Sequence, residues 1–166
     1  MKLVEYTDFS FQSDHDDSKS MSDFIFILNS GAICRKSFKQ HTVADSVGEI
    51  EYITKSDAVK EAVWLWKFIT DLGVTSSTNS LVLHYYDSIG AIAQTNESST
   101  HQLIKYIPHH YHLIWEIVER GDVDLQKING KKNLVDPFTK ALIIKKVNEH
   151  KLKMGIRYCT DWLYSK

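Results

Sequence analysis

The chain has 166 residues, 43% of them hydrophobic and 25% charged, and a formal net charge of −1. This composition fits one soluble globular domain with one substantial core. Apolar runs such as Phe24–Leu28 are far too short to span a bilayer, so no membrane partner is expected. Cys34 and Cys159 have no metal-type spacing and read as reduced thiols, and neither H-E-x-x-H nor C-x-x-C occurs, which argues against zinc. A near-neutral charge leaves nucleic-acid binding to local basic patches.

Residues 3–8, LVEYTD, predict a first strand that ends in Asp8. The polar stretch after it carries Asp14, Asp16 and Asp17, lacks the glycine and closing glutamate of an EF-hand, and reads as a solvated loop. Phe24–Leu28 and Ala32–Phe38 predict a hairpin turning at Asn29-Ser30-Gly31, so the first three strands form an antiparallel meander. Arg35, Lys36 and Lys39, with Gln40 and His41, lie on the third strand and the loop after it. They read either as an ordinary solvated edge or as a phosphate-contacting ridge.

A long helix is predicted over Val47–Leu72, opened by the capping box Ser46–Glu49 and closed by Gly73. Val47, Ile50, Thr54, Ala58, Ala62, Leu65 and Ile69 recur at three- and four-residue steps and define its buried face. Glu49 has a capping role, whereas Glu51, on the edge of that face, has none. A carboxylate held against a core without a partner is costly; a metal ion would relieve that cost, and so would exposure at the helix end. Trp64 and Trp66 lie several turns away and read as core and partner-facing anchors.

Leu81–Tyr86 predicts a fourth strand stopping at Asp87, with a short helix from Ser88 to about Thr95. A carboxylate at a strand end either caps the next helix or serves as a metal ligand or general base. His101–Arg120 has helical character interrupted by Pro108. Val123–Ile128 predicts a last strand, Lys131-Lys132 a small basic patch, and NLVDPFTKAL a helix in which Asp136, before Pro137, reads as an N-cap. The order predicts an α/β fold of the ribonuclease H-like kind: a mixed five-stranded sheet, three antiparallel strands then two parallel, flanked by helices. It occupies residues 1–142, with a C-terminal helical tail over 143–166.

Ordered blocks over nearly the whole chain resemble the ribonuclease H domain at the C-terminus of copia-type LTR retrotransposon polyproteins. The family's K-S-x-S-G-Y-x-F looks like residues Lys19 to Phe26, and K-S-x-K-Q-x-T-V-A like Lys36 to Ala44. S-x-x-E-A-E-Y-I is similar to Ser46 through Ile53, C-D-N-x-x-A-I to Tyr86–Ile92, and A-D-x-x-T-K to Val135–Lys140. The resemblance implies an endonuclease that hydrolyses the RNA strand of RNA–DNA hybrids, leaving a 5′-phosphate and a 3′-hydroxyl. It implies Asp8, Glu51, Asp87 and Asp136 as catalytic carboxylates holding two Mg²⁺ ions, with Mn²⁺ as the alternative. Carboxylates suit Mg²⁺ because it prefers oxygen ligands, and two ions roughly 4 Å apart activate water and stabilise the leaving oxygen.

The hybrid would be held by Arg35, Lys36, Lys39, Gln40 and Ser88. The parent reverse transcriptase is the expected protein partner, and the element's cytoplasmic virus-like particle, or the nucleus, the expected location. Several positions depart from the pattern: Ser88 replaces Asn, Arg35 replaces Trp, and Tyr106 and Pro108 replace a histidine and an acid. Ser88, Tyr106 and Pro108 support the alternative of a catalytically inactive retroelement remnant that keeps the fold and at most binds nucleic acid or protein.

Overall fold

The computed structural model describes residues 2–10, 16, 18–41, 43, 46–75, 82–87, 113–158 and 160. Its elements are β1 (Leu3–Ser10), β2 (Met21–Leu28), β3 (Gly31–Lys39), α1 (Val47–Asp71), β4 (Val82–Tyr86), α2 (Leu113–Glu119), β5 (Val123–Lys127), α3 (Asp136–Thr139) and α4 (Ile144–Lys153). The expected helix at 88–95 and the part of the expected 101–120 helix before Leu113 lie outside the described residues.

The strands form one sheet in the order β3-β2-β1-β4-β5. β2 pairs antiparallel with both β1 and β3, while β4 pairs parallel with both β1 and β5. This is the mixed sheet that the element order predicts. The β2–β3 turn uses Asn29 and Ser30, both in the left-handed region (φ 48° and 68°). Two successive positive φ values give a two-residue loop the twist that its flanking strands require.

Residues 22–27, SDFIFI, are all buried, because both faces of β2 are covered. Phe24 and Phe26 pack with Leu3, Val82 and the α1 residues Ile53, Ala58, Val59, Ala62, Leu65 and Ile69. Ile25 and Ile27 point the other way, into a second cluster with Leu134, Val135 and Met154. The tail therefore covers the second face, and the Ala32 N–H donates to the Met154 carbonyl at 2.8 Å.

At the start of α1, the Ser46 hydroxyl accepts the Glu49 N–H at 3.1 Å, and Gly73 (φ 69°) follows its C-cap. The predicted stripe is buried from Ile50 onward, whereas Val47 in the first turn is exposed. Trp66 packs against the core; Trp64 is exposed and stacks on Phe68. Among the described residues, no helix is long and apolar enough to cross a membrane.

Gly155 follows α4 with φ 72°, and a Cβ there would lie 2.5 Å from the Ser30 carbonyl oxygen. Gly121 also has a positive φ (77°) but faces open space. Gly155→Ala should cost about 2 kcal/mol or more, and Gly121→Ala about 1 kcal/mol from backbone strain alone. Urea unfolding of the two variants checks this, and equal losses would contradict the close approach.

Candidate functional site

Parallel neighbours release their chain ends on the same edge of a sheet, where a crevice opens. Asp8, near the end of β1, and Asp87, immediately after β4, meet at that edge. Glu51 reaches it from the second turn of α1. All three line one open cleft with Thr7, Phe9, Thr54, Lys55 and Tyr86. Asp136 joins from the first residue of α3. It is not the N-cap expected from sequence: Val135 holds that position without a side-chain cap, and the Asp136 carboxylate is held by Lys140 instead.

The Lys140 ammonium lies 2.7 Å from Asp136 Oδ1 and 3.2 Å from Asp8 Oδ2, bridging the two acids. Asp8 Oδ2 also accepts the Thr139 hydroxyl at 2.6 Å. Burial pulls the Lys140 pKa down, but the hydrogen bond to Asp136 and the neighbouring Asp8 outweigh it, and the net shift is upward. Asp87 is raised above the ordinary carboxylate value, first by burial and then by Asp8 and, more weakly, Asp136, with Lys140 opposing.

Glu51 is only 3% exposed, and its Oε2 is buried without a hydrogen-bond partner. Four residues on, Lys55 is also buried, with its ammonium 3.8 Å from the centre of the Tyr86 ring. Burial pushes its pKa down to about 8, against the pull of Glu51 and Asp87.

The oxygen-rich set, with one orphaned buried oxygen and one ammonium already bridging two carboxylates, suits a hard cation. As they stand, however, no three His, Cys, Asp or Glu side chains among the described residues converge as ligands for one metal ion.

Buried polar groups hold this edge in place. Asn133, fully buried, donates to the Thr7 carbonyl at 2.7 Å and accepts the Val135 N–H, tying the chain before Asp136 to the residue before Asp8. Glu5 and His84, also fully buried, face each other across β1 and β4 at 2.8 Å, and the other His84 nitrogen lies 3.4 Å from the Thr7 hydroxyl. Gly130 runs so close to Asp87 that a Cβ would sit 3.1 Å from its Oδ2. Neither Glu5, His84 nor Asn133 stood out in the sequence. The available signal was a polar side chain at the inward position of a strand, as in Leu3-x-Glu5-x-Thr7.

The residues expected to contact nucleic acid do not form one ridge. Gln40 is buried, its amide donating to Ser22 at 2.7 Å and Thr54 at 3.1 Å, because its alternating position turns it toward α1. Arg35 pairs with buried Asp23 at 3.2 Å and lies 3.8 Å above the Phe138 ring. Lys36 points to the opposite face, near Phe24, Phe38 and Glu61, with its side chain half exposed. Lys39 is exposed, and Ser88 lies outside the described residues.

A ribonuclease H1 isolated from compost by a metagenomic approach superposes with a TM-score of 0.54 at 15% identity, covering 89% of this chain and 96% of that one. With the strand order above, this defines the fold as ribonuclease H-like. No protein-family model matches the chain. The retrovirus-related Pol polyprotein from transposon TNT 1-94 of Nicotiana tabacum is 34% identical over 140 residues, which is 84% of this chain. That from transposon RE2 of Arabidopsis thaliana is 28% identical over 156 residues, or 94% of this chain. The homologues of this chain are thus retrovirus-related Pol polyproteins of plant transposons, and it spans about a tenth of their length (10% and 11%).

Because the folded pKa of Asp87 lies above its ordinary 3.8, its stabilising contribution is complete below that value. It is lost as pH rises through the folded pKa. Asp87→Asn mimics the protonated acid, so in metal-free buffer it should raise the unfolding midpoint at pH 7 and give no gain near pH 3.8. Thermal unfolding across that range tests this; a lower midpoint at pH 7 would contradict it.

Proposed function

We propose that this chain is a metal-dependent ribonuclease H that cleaves the RNA strand of RNA–DNA hybrids during reverse transcription of a copia-type element. The observation that carries the reading is the meeting of Asp8, Glu51 and Asp87 in one cleft, with Asp136 tied to Asp8 through Lys140, on a ribonuclease H-like sheet. Asp8, Glu51, Asp87 and Asp136 would hold two Mg²⁺ ions, with Mn²⁺ as a substitute. Bound there, such ions would supply activation of the attacking water and stabilisation of the departing 3′-oxygen.

The chain's own groups have narrower tasks. Asp8 and Asp87 are presented from adjacent strand ends, so their spacing follows from the backbone pairing. Glu51 contributes an oxygen with no competing internal partner. Thr139 orients the Asp8 carboxylate through its hydroxyl. Lys36 and Lys39 are exposed cations of β3 that would meet the phosphate backbone of the hybrid, with Lys131 and Lys132 on the opposite side of the sheet order. The rest of the polyprotein, its reverse transcriptase first, is the natural protein partner, and the element's particle in the cytoplasm is the location that follows.

A second reading is favoured by the site as placed: the Lys140 ammonium sits on Asp8 and Asp136, and among the described residues no three acids converge on one point. On that reading the chain is an inactive remnant that at most binds hybrid or protein. One assay separates them. Incubated with end-labelled RNA–DNA hybrid and Mg²⁺, the parent chain should cut only the RNA strand, and Asp87→Asn should be at least a hundredfold slower, as expected for loss of a group central to the chemistry. A folded parent that binds hybrid but cuts nothing with either Mg²⁺ or Mn²⁺ would establish the remnant.

A further inference from the structure

The four acids fall into two pairs, and each pair has a lysine of its own. Asp8 and Asp136 share the Lys140 ammonium, at 3.2 and 2.7 Å. Lys55, one helical turn after Glu51, lines the same cleft as Glu51 and Asp87. A cluster of carboxylates at one sheet edge repels itself unless cations stand close by. Two ammonium groups are placed to offset that repulsion in the absence of any ion. They do so incompletely, since Glu51 Oε2 remains buried and unpartnered beside the cleft.

We propose that Lys140 and Lys55 are internal counter-cations of the acid cluster that compete with a divalent ion for it. The inference rests on the reading of these acids as a metal site and adds what sets the site's affinity. A carboxylate oxygen that accepts from an ammonium group has less acceptor capacity and less unbalanced charge left for another cation. A fixed positive charge near a divalent ion also costs Coulomb energy directly.

The two lysines differ in how they can yield. Lys140 has a half-exposed side chain (49%) on a flexible stem, so it can swing into solvent and free both Asp8 and Asp136. Lys55 is 5% exposed and held over the Tyr86 ring, so its charge stays in place and weakens every bound state. Lys140 thus acts as a displaceable occupant and Lys55 as a standing brake, and both are positioning residues that act through the acids.

The test is calorimetric titration of the metal-free full chain with MnCl₂ and MgCl₂, in the parent, Lys140→Met, Lys55→Met and Asp87→Asn. Each lysine variant should bind the divalent ion roughly tenfold more tightly than the parent, as expected for removing one unit charge a few ångströms from a divalent ion. Both should also unfold at a lower temperature when metal-free, with the loss recovered on adding Mn²⁺. A merely structural lysine would lower the midpoint without tightening metal binding.

Unchanged or weaker binding in Lys140→Met, while Asp87→Asn abolishes binding, would overturn the competition and leave the metal site standing. Absence of binding in the folded parent and in both lysine variants at millimolar metal would overturn the metal site and this inference together. Should Lys55→Met fail to fold, Lys140→Met decides alone, because its side chain is half exposed and its replacement disturbs no core.

Discussion

Two parallel strands that end on the same edge of a sheet must release their last residues side by side, and the candidate site depends on that constraint. β1 and β4 are paired through Val4–Leu83, Glu5–His84 and Tyr6–Tyr85, which sets Asp8 and Asp87 at neighbouring exits. The other two acids are brought to them. α1, the element between β3 and β4 in sequence, packs its second turn over the edge and delivers Glu51. The chain after β5 returns across it, pinned to the Thr7 carbonyl by Asn133, and delivers Asp136. The pairing of β1 with β4 is itself reinforced by a buried Glu5–His84 contact under the cleft.

Electrostatics works against this arrangement. Asp23, a fifth carboxylate, lies directly opposite Asp8 on β2, and burial raises its pKa above the ordinary range while Ser37, Arg35 and the Asp8 charge modulate it. Cations stand near several of these charges: Arg35 pairs with Asp23, Lys140 with Asp8 and Asp136, and Lys55 lines the cleft that holds Glu51 and Asp87. Such pairs gain little where water reaches them; where it does not, desolvation can cancel the attraction, although removing one partner then leaves a costly unpaired charge.

Much of this was legible in the sequence, for identifiable reasons. Strand ends and helix starts are local features, so Asp87 could be placed from periodicity and Asp136 from Pro137, although Asp136 is the first helical residue and not the cap, and β1 runs two residues past Asp8, where the expected strand stopped. Glu51 stood out because Glu49 already had the capping role and Glu51 had none; the structure leaves one of its oxygens without a partner. What could not be read was which side chains meet across the sheet. Arg35 looked like a phosphate contact, but period-two alternation sends it to Phe138 and Asp23, on the face opposite Lys36. The family pattern has Trp where Arg35 stands and Gly where Asp23 stands, and the structure shows the two departures as one ion pair. Gln40 looked polar and therefore exposed, yet Ser22 and Thr54 give it partners inside.

The proposed function requires the four acids to act as one cation-binding cleft. The most direct measurement is a crystal structure of the chain grown with Mn²⁺, with anomalous difference maps at the metal's edge. The expected result is anomalous density in the cleft, ligated by oxygens of Asp8, Glu51, Asp87 and Asp136, with the Lys140 ammonium withdrawn from between Asp8 and Asp136. A cleft without anomalous density at saturating Mn²⁺, with Lys140 still bridging the two aspartates, would contradict it.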